Sequence, residues 1–519
     1  MTWRSATDVA VGLTLMTRAV RPWRPATWTA VRRHGLTVAA LAAMAASTQP
    51  DTTVLVDDEG PLRHGELGRQ VDALAPVIAA QLPPGPGPAR VGVLCRNGRG
   101  FVAALVSASR LRADVVLLDP DAAPPQLAQV VRSEHLDLVV LDGDDVTAPP
   151  AGTAVLDLRT CAHDRSGPPD LAPPPTCPSG RSRPGRLVVL TSGTTGPSRG
   201  AHRGAVRVRQ SVPVTTLVRA IPVTRASSMV LTPPLFHGYG LGFLLLGLAF
   251  RLPVVVGRRL DLTRVDQALS AAPDAILVGV PPVLARVARA TGPRPLAAVV
   301  SGAGQLHPSV ASLLLTTYGP TLFNLYGSSE EGWSTLATPD DLVAAPGTIG
   351  RPAAGVRIEV LDDDGRPVPV GTVGRLCVAS RLEFAHYTDG GRRRRLGGMS
   401  VTGDLGHRDR TDRFFVDGRS DDVVVVGGEN VFLPAVEDAL LAHPDVADVR
   451  VDAVPDEEYG SRLVAVVVPL GGALSRGEEA LALALTEQVR STLTRHMVPR
   501  VVRFVDALPQ TATGKHLRR

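Results

Sequence analysis

Residues 191–200 read "TSGTTGPSRG" and combine hydroxyl side chains, three glycines and one arginine. The apolar run "LVVL" comes directly before them and predicts a strand, so the stretch lies just beyond a strand's carboxyl end. Backbone N–H groups, hydroxyls and an arginine can all bind phosphate there. We therefore expect a polyphosphate-binding loop, and an ordinary surface loop is the alternative for this motif taken alone.

This loop is not a Walker P-loop, which needs Gly, four residues and then Gly-Lys-Ser/Thr. The kind of polyphosphate must therefore be decided by other stretches that carry chemistry. These are "NLYGSSE" at 324–330, "TGDLG" at 402–406, "DGRSDD" at 417–422, "VGGENVFLPAVED" at 426–438 and "LPQTATGK" at 508–515.

Taken together and in this order, the stretches resemble the motifs of the acyl-adenylate-forming, or AMP-binding, enzyme superfamily. This superfamily includes acyl-CoA synthetases, peptide-synthetase adenylation domains and luciferases. The resemblance runs from about residue 50 to the end and is strongest to fatty acyl-CoA synthetases. It implies an acid–thiol ligase that activates a carboxylic acid with ATP as acyl-AMP and then transfers the acyl group to CoA.

The resemblance assigns most of the quoted residues to ATP. Tyr326 and Asn324 are implied to frame the adenine, while Asp404 accepts the ribose hydroxyls and Arg419 also binds the ribose. The implied ATP-binding residues are Thr191, Ser192, Gly193, Thr194, Thr195, Gly196, Arg199, Asn324, Tyr326, Gly327, Ser328, Ser329, Asp404 and Arg419.

Two further residues are implied to act on the reacting phosphates. A carboxylate that attacks ATP brings two anions together, so cations must screen them. Mg²⁺ prefers carboxylate and phosphate oxygens, and the resemblance gives Glu330 as its carboxylate. The catalytic lysine is Lys515, which would stabilise the charge that develops at the α-phosphate. Each residue alone could be a solvated charge, and it is their joint order that favours a site.

The resemblance also assigns the acyl site, the CoA channel and the hinge. His237, in "PLFHGYGLG", is implied to gate the acyl channel and to take part in catalysis, with a packed core histidine as the alternative. Asp421 is the implied hinge between two domains. The other implied residues are Gly302, Ala303 and Gly304 for acyl binding, and Gly427 and Gly428 for the CoA channel.

The apolar stretch "GYGLGFLLLGLAF" at 238–250 favours a medium- or long-chain fatty acid, although core packing explains it equally well. An amino-acid substrate is less favoured, because adenylation domains for amino acids usually place an aspartate where this chain has His237. Two alternatives stay open: transfer to a carrier-protein thiol, and a nucleotide-binding module with little turnover.

The motifs depart from the usual pattern at several positions. Arg199 stands where lysine is usual, and Ser198 stands where proline is usual; arginine is planar and bulkier than lysine, so this exchange is not neutral. Ser329 replaces a threonine, and Ala435 replaces a glutamate. These changes bear on the rate of turnover more than on the assignment.

Composition limits the remaining possibilities. The net charge of +5 does not imply a nucleic-acid surface, and the four cysteines form no CxxC pair, which suits a reducing cytoplasmic location. Residues 32–47 resemble a signal peptide, with an Ala-rich helix as the alternative. Residues 9–20 predict either peripheral membrane contact or a packed helix. The run "RRRR" at 392–395 predicts a solvated loop, with attraction of the CoA phosphates as the alternative.

Apolar runs that lead into helices indicate buried parallel strands, as in "RVGVLCRNGRGFVAALVSASRLRADVVLLDP" at 90–120. The sequence therefore predicts an α/β fold. It comprises a large N-terminal domain with parallel sheets, a β-rich subdomain and a small mobile α+β C-terminal domain. The expected boundaries are 1–48 for an N-terminal helical extension, 49–419 for the AMP-binding and acyl-binding domain, and 420–519 for the lid domain.

Overall fold

The structure is a computed structural model. It describes residues 6–20, 24–84, 87–143, 145–162, 183–191, 199–203, 211–328, 330–384, 391, 393–420, 423–426, 429–456 and 460–509.

The chain begins with three helices, α1 (Ala6–Val20), α2 (Pro25–His34) and α3 (Val38–Thr48). The Thr37 side chain caps α3 by accepting a hydrogen bond from the Ala40 amide, which satisfies one donor of the first turn. Most alanines of α3 are buried, and Met16 of α1 packs against the main core. Within residues 32–47, α2 ends at His34 and the Ala-rich helix α3 begins at Val38, and α1 packs against α8 and α9.

The first α/β unit follows. Its elements are β1 (Thr53–Asp57), β2 (Gly60–Arg63), α4 (His64–Gln81), β3 (Arg90–Leu94), α5 (Arg99–Arg110), β4 (Asp114–Leu117), α6 (Pro124–Ser133), β5 (Leu138–Leu141), β6 (Val155–Asp157), α7 (Leu158–Ala162), β7 (Leu187–Thr191) and β8 (Arg199–Arg203). Strands β3 to β8 form a six-stranded sheet in the order β6-β5-β3-β4-β7-β8, parallel except for the β7–β8 pair. Because β3, β4 and β5 are buried on both faces, their sequences are continuous apolar runs.

The second α/β unit follows it. Its elements are α8 (Ser211–Ala220), β9 (Met229–Leu231), α9 (Gly238–Phe250), β10 (Val254–Val255), α10 (Leu262–Ala271), β11 (Ile276–Gly279), α11 (Pro281–Thr291), β12 (Ala298–Gly302), α12 (Pro308–Tyr318), β13 (Leu322–Ser328), β14 (Gly332–Ala337), α13 (Pro339–Ala344) and β15 (Thr348–Pro352). Strands β13, β12, β11, β9, β10 and β1 are parallel neighbours in this order.

The β-rich part comprises β16 (Arg357–Leu361), β17 (Gly374–Ala379), β18 (Arg395–Leu396), β19 (Met399–Arg408) and β20 (Phe414–Arg419). It continues the large sheet instead of forming a separate layer, because β20 pairs with β15. The complete sheet has 14 strands in the order β16-β17-β19-β20-β15-β14-β13-β12-β11-β9-β10-β1-β2, with β18 beside β19.

The last part of the chain has its own core. Its elements are β21 (Val423–Val426), β22 (Glu429–Phe432), α14 (Leu433–Leu441), β23 (Val446–Asp456), β24 (Gly460–Pro469), α15 (Glu478–Thr492) and β25 (Val501–Phe504), with short 3₁₀ turns at Ala473–Arg476 and Arg495–Met497. Strands β23, β24 and β25 form one sheet, and α14 and α15 pack on it around Val436, Leu440 and Leu485. The predicted fold class is therefore confirmed; the predicted mobility and the domain boundaries stay predictions.

Leu441 of α14 packs against the core of the large sheet, and two polar contacts also join this last part to the rest of the described chain. The imidazole of His307, which precedes α12, bonds the Asp438 carboxylate on α14, and Arg289 donates to the Ala447 carbonyl at 3.3 Å. Burial alone would lower the pKa of His307, but the hydrogen bond and negative charge of Asp438 raise it above its usual value. Within the described residues, no helix is long and apolar enough to cross a membrane.

Candidate active site

The carboxyl edges of the two parallel sheets face each other, which is where ligands bind in open α/β sheets. Asn97, just after β3, ties these edges together. Its side chain accepts a hydrogen bond from the Leu235 amide at 2.8 Å and donates one to the Pro233 carbonyl at 3.2 Å. The predicted site residues that the structure describes lie near these strand ends, along β13 and on the paired strands β19 and β20.

The predicted phosphate loop starts where β7 ends. Thr191 is the last residue of β7, and it pairs directly with Arg199, the first residue of β8. The antiparallel pair therefore brings the two ends of the loop together beside the parallel strand β4. Ser192, Gly193, Thr194, Thr195 and Gly196 lie outside the described residues, and their binding of phosphate stays a prediction.

Tyr326, Asp404 and Arg419 come together although they are far apart in the sequence. The Tyr326 hydroxyl donates to Asp404 Oδ2 at 2.6 Å, and Arg419 Nη1 lies 3.5 Å from Asp404 Oδ1. Asp404 and Arg419 face each other because β19 and β20 pair in that register. Burial and the Asp404 charge raise the pKa of Tyr326 well above its usual value, so the hydroxyl remains a hydrogen-bond donor.

One donor of this cluster is left without an acceptor. Among the described residues, Arg419 Nε is buried and has no hydrogen-bond partner. A buried unpaired donor is costly, so it marks a place where a ligand oxygen would be stabilised. Gly403 lies against the guanidinium with a φ of +88°, and a Cβ there would come within 3.0 Å of Arg419 Nη2. The close approach of Gly403 therefore helps to fix the arginine beside Asp404.

The other described residues of the "NLYGSS" stretch have structural contacts. Asn324 is buried and donates from Nδ2 to the Thr348 carbonyl at 3.1 Å, which holds β13 to β15. A Cβ on Gly327 would lie 2.2 Å from the Gly332 carbonyl oxygen, so glycine lets β13 and β14 approach closely. Contact of Asn324 with adenine stays a prediction. Ser329 lies outside the described residues.

Two adjacent carboxylates, Glu330 and Glu331, follow β13 and share one arginine. Arg393 Nη2 lies 3.2 Å from Glu330 Oε1, and Arg393 Nη1 lies 2.9 Å from Glu331 Oε1. Ser328 binds the other oxygen of Glu331, and its hydroxyl also accepts from the amides of both glutamates. Burial raises the pKa of Glu331 above its usual value.

The environment of Arg393 differs from the one that the sequence predicted. The run "RRRR" was expected to be a solvated loop, and its exposed members Arg394 and Arg395 fit that expectation. For Arg393 the expectation is wrong: its side chain is only 17% exposed because it pairs with two buried carboxylates. A run of like charges usually indicates solvent, so no local signal distinguished this arginine from its neighbours.

An apolar cavity of about 780 Å³ is lined at one end by residues that directly follow Tyr326. His237, Ala303, Gly327 and Ser328 line the end that is nearest to the Tyr326–Asp404 pair, and α9 lines its length. The predicted acyl-binding residues Gly302 and Gly304 flank Ala303 at the end of β12. A Cβ on Gly302 would come within 2.7 Å of the Tyr239 ring, so glycine allows this close contact. Ala303 has a φ of +59°, a left-handed backbone conformation that is strained for a residue other than glycine and must be held by its surroundings.

A second, basic cavity of about 270 Å³ lies next to the apolar one. The two share Pro233, Pro234 and Val280 in their walls. Five arginines line the basic cavity: Arg96, Arg258, Arg259, Arg264 and Arg286.

Three of these arginines are already neutralised by neighbouring carboxylates. Arg96 pairs with Asp121 and Asp145, Arg258 with Asp142 and Asp145, and Arg264 with Asp58.

The other two arginines that line the basic cavity are Arg259 and Arg286. Both are exposed, and neither forms an ion pair with a carboxylate in the described part of the chain. The cavity therefore offers two exposed cations without an ion-paired carboxylate among the described residues, although Arg259, after Arg96, also helps to lower the pKa of Asp121.

Four other predicted site residues lie outside the described residues: Asp421, Gly427, Gly428 and Lys515. Their roles stay predictions.

Two family models match the chain. The model of the AMP-binding enzyme covers residues 42–388, and that of the AMP-binding enzyme C-terminal domain covers residues 435–515. The chain belongs to the AMP-binding enzyme family. The suspected superfamily is thus confirmed, and the matched ranges contain the phosphate loop, the Tyr326 stretch and Lys515.

Relatives of this AMP-binding enzyme include CoA ligases and a fatty acid–[acyl-carrier-protein] ligase from Streptomyces coeruleorubidus, which is 31% identical over 202 residues, or 38% of each chain. A sulfoacetate–CoA ligase from Cupriavidus necator is 29% identical over 527 residues, which covers 92% of this chain and 96% of the relative. A medium/long-chain-fatty-acid–CoA ligase from Mycobacterium tuberculosis is 34% identical over 229 residues, or 42% of this chain and 40% of that one. The o-succinylbenzoate CoA synthetase structure from Bacillus subtilis has a TM-score of 0.77 at 20% identity and covers 92% and 96% of the two chains.

These comparisons place the AMP-binding enzyme among the acid–thiol ligases and confirm its fold class. The relatives act on chemically different acids, so the identity of this chain's acid rests on its own cavity.

Mg²⁺ is the metal implied by the resemblance, and the carboxylates of Glu330 and Glu331 are of the kind that it prefers. Among the described residues, no group of three or more His, Cys, Asp or Glu side chains could form a cage for a metal. Mg²⁺ does not need such a cage, since it is commonly held by one or two carboxylates with substrate phosphates and water. Glu330 is the better candidate ligand, because Glu331 is more deeply buried and is also bonded to Ser328, whereas both carboxylates share Arg393.

Proposed function

We propose that the protein activates a hydrophobic carboxylic acid, of the medium- or long-chain fatty type, with ATP and transfers the acyl group to CoA. The observation that carries this proposal is the apolar cavity, whose polar end is formed by residues of the nucleotide stretch. Gly327 and Ser328 line this cavity and directly follow Tyr326, which bonds Asp404. An acid in the cavity would therefore present its carboxylate beside the bound nucleotide.

The reaction would proceed in two steps. In the first, a carboxylate oxygen of the acid attacks the α-phosphorus of ATP, and pyrophosphate leaves. In the second, the CoA thiol loses its proton and attacks the acyl carbon, and AMP leaves. Both steps depend on holding the nucleotide in a fixed position, since orientation supplies much of the rate enhancement in such reactions.

The described residues support the positioning part of this mechanism. Asp404 is held by Tyr326 and Arg419 on two sides, which orients its carboxylate as an acceptor for vicinal ribose hydroxyls. Arg419 Nε would donate to a nucleotide oxygen and so gain the partner that it lacks. Mg²⁺, held at Glu330, would supply charge neutralisation for the phosphates.

The lining of the apolar cavity favours a hydrophobic acid over an amino acid. Leu241, Phe243, Leu245 and Leu246 of α9 line it, and His237 stands at its polar end. The cavity volume of about 780 Å³ lies within the range of sites for drug-sized ligands. A long or bulky apolar acid would bury the most surface there.

The basic cavity supports CoA as the acyl acceptor. CoA carries phosphate groups at the end opposite to its thiol, and Arg259 and Arg286 are two exposed cations without a carboxylate partner among the described residues. The shared wall of Pro233, Pro234 and Val280 places these cations next to the acyl cavity. We assign the two arginines to the CoA phosphates under this proposed function.

The double variant Arg259→Ala, Arg286→Ala is expected to raise KM for CoA about tenfold, because each exposed charged contact contributes roughly 0.5–1 kcal/mol. The KM for pantetheine, which has the thiol but lacks the phosphates, is expected to stay unchanged. Arg225→Ala removes an exposed arginine that does not line the cavity and is the matched control. An equal rise in KM for CoA and pantetheine would exclude recognition of the phosphates.

The proposed function itself is tested by pyrophosphate release across a panel of acids, with and without CoA. We expect pyrophosphate to be released from ATP when a hydrophobic acid is supplied. When CoA is also present, we expect AMP and acyl-CoA to be formed. Preference for free amino acids would overturn the substrate class, and faster transfer to a carrier protein offered beside CoA would overturn the acceptor. Nucleotide binding without AMP release would identify a binding module.

A further inference from the structure

We propose that the N-terminal helices α1 and α2 close the far end of the acyl cavity and set the size of the acid that the protein accepts. This inference rests on the proposed function. It concerns the segment that precedes the family match, which starts at residue 42.

The far end of the cavity is built by this segment. Met16 of α1, Val31 of α2, Leu36 between α2 and α3, and Leu41 of α3 all line it. The opposite end is lined by Ala303, Gly327 and Ser328 of the matched region. The cavity thus extends from the nucleotide stretch to helices that the family model does not include.

The segment is packed against the rest of the protein. Gly12 of α1 lies so close to α8 that a Cβ would come within 2.4 Å of Thr215 Cβ. Leu15 and Met16 pack against the main core, and α1 also contacts α9, the helix that lines the length of the cavity. A wall in such close contact can discriminate by size, since packed interiors tolerate little added volume.

Thr37 and Ser109, two polar residues that line the cavity, already form hydrogen bonds within the protein. The Thr37 hydroxyl donates to the His34 carbonyl at 3.0 Å and accepts from the Ala40 amide, while Ser109 Oγ accepts from the Ala39 amide at 3.4 Å. The remaining side chains named at this end are apolar. The apolar side chains named here therefore favour selection of an acid by the length and bulk of an apolar tail, while the charged residues Arg186 and Glu383 also line the cavity.

The experiment compares pyrophosphate release with hexanoate and with palmitate in the full chain. Met16→Trp fills the far end, so we expect the ratio of kcat/KM for palmitate to that for hexanoate to fall about tenfold or more. Met16→Ala enlarges the same end and is expected to raise this ratio. Val31→Phe, on α2, is expected to lower it independently of α1.

The matched control is Leu13→Trp, because Leu13 lies on the same helix, is 39% exposed and does not line the cavity. The ratio of kcat/KM for palmitate to that for hexanoate in this control is expected to equal the wild-type ratio. The rate of the control with hexanoate shows whether α1 tolerates a tryptophan. Ratios in all three cavity variants that match the control would overturn the inference. Failure of the wild type to adenylate either acid would instead overturn the proposed function, so the two failures are distinguishable.

Discussion

Glu330→Gln is expected to slow acyl-AMP formation on the order of 10²-fold at limiting magnesium, the scale of losing one oriented group that stabilises transition-state charge. Glutamine keeps the size of the side chain and its contact with Arg393 but removes the negative charge that a hard divalent cation prefers. The measurement is the initial rate of pyrophosphate release as a function of magnesium concentration at saturating ATP.

The adjacent carboxylate provides the control. Glu331 shares Arg393 with Glu330, yet it is bonded to Ser328 and almost fully buried. Glu331→Gln is therefore expected to lower the melting temperature, because it weakens a buried network, while the magnesium concentration for half-maximal rate stays unchanged. Calorimetric titration with magnesium and ATP adds a readout without turnover. Equal magnesium dependence in the wild type and Glu330→Gln would remove Glu330 as the ligand.

The sequence predicted the local elements of the fold well, for a physical reason. Buried parallel strands must be apolar on both faces, so β3, β4 and β11 stand out as continuous Val, Ile and Leu runs. The last part of the chain was likewise predicted as α+β, and helices α14 and α15 with strands β23 to β25 form it. The pairing of β15 with β20 was not predicted, because this pairing joins strands that are distant in the chain and leaves no local pattern.

The residues of the candidate site were likewise predicted only in part. The motifs predicted that Tyr326, Asp404 and Arg419 share one site. The structure brings them into contact, although Tyr326 and Asp404 are 78 positions apart in the sequence. The sequence did not single out Arg393 or the arginines of the basic cavity, because which of them are ion-paired depends on the carboxylates that face them in the fold. The apolar pattern of α1 indicates burial but does not show that the helix borders a cavity.

The largest expected effect concerns Lys515, the last residue of the matched C-terminal domain. The described chain before it belongs to the small unit, because β25 pairs with β24 and Leu508 is buried. The predicted nucleotide residues Tyr326 and Asp404 belong to the large sheet. We therefore propose that Lys515 reaches the α-phosphate in one orientation of the small unit, and that Gly428 serves the CoA channel in another.

Under this proposal, mutation separates the two half-reactions. Lys515→Ala is expected to slow acyl-AMP formation about 10²–10³-fold, because one oriented cation is lost from the transition state. Thioester formation from supplied acyl-AMP is expected to be largely retained, since this step uses the other orientation. Asp421→Pro is expected to do the reverse, because proline fixes φ at the proposed hinge. The control Arg518→Ala removes a nearby cation and is expected to spare both steps. Equal loss of both steps in Lys515→Ala and Asp421→Pro would show that this chain does not alternate between two orientations.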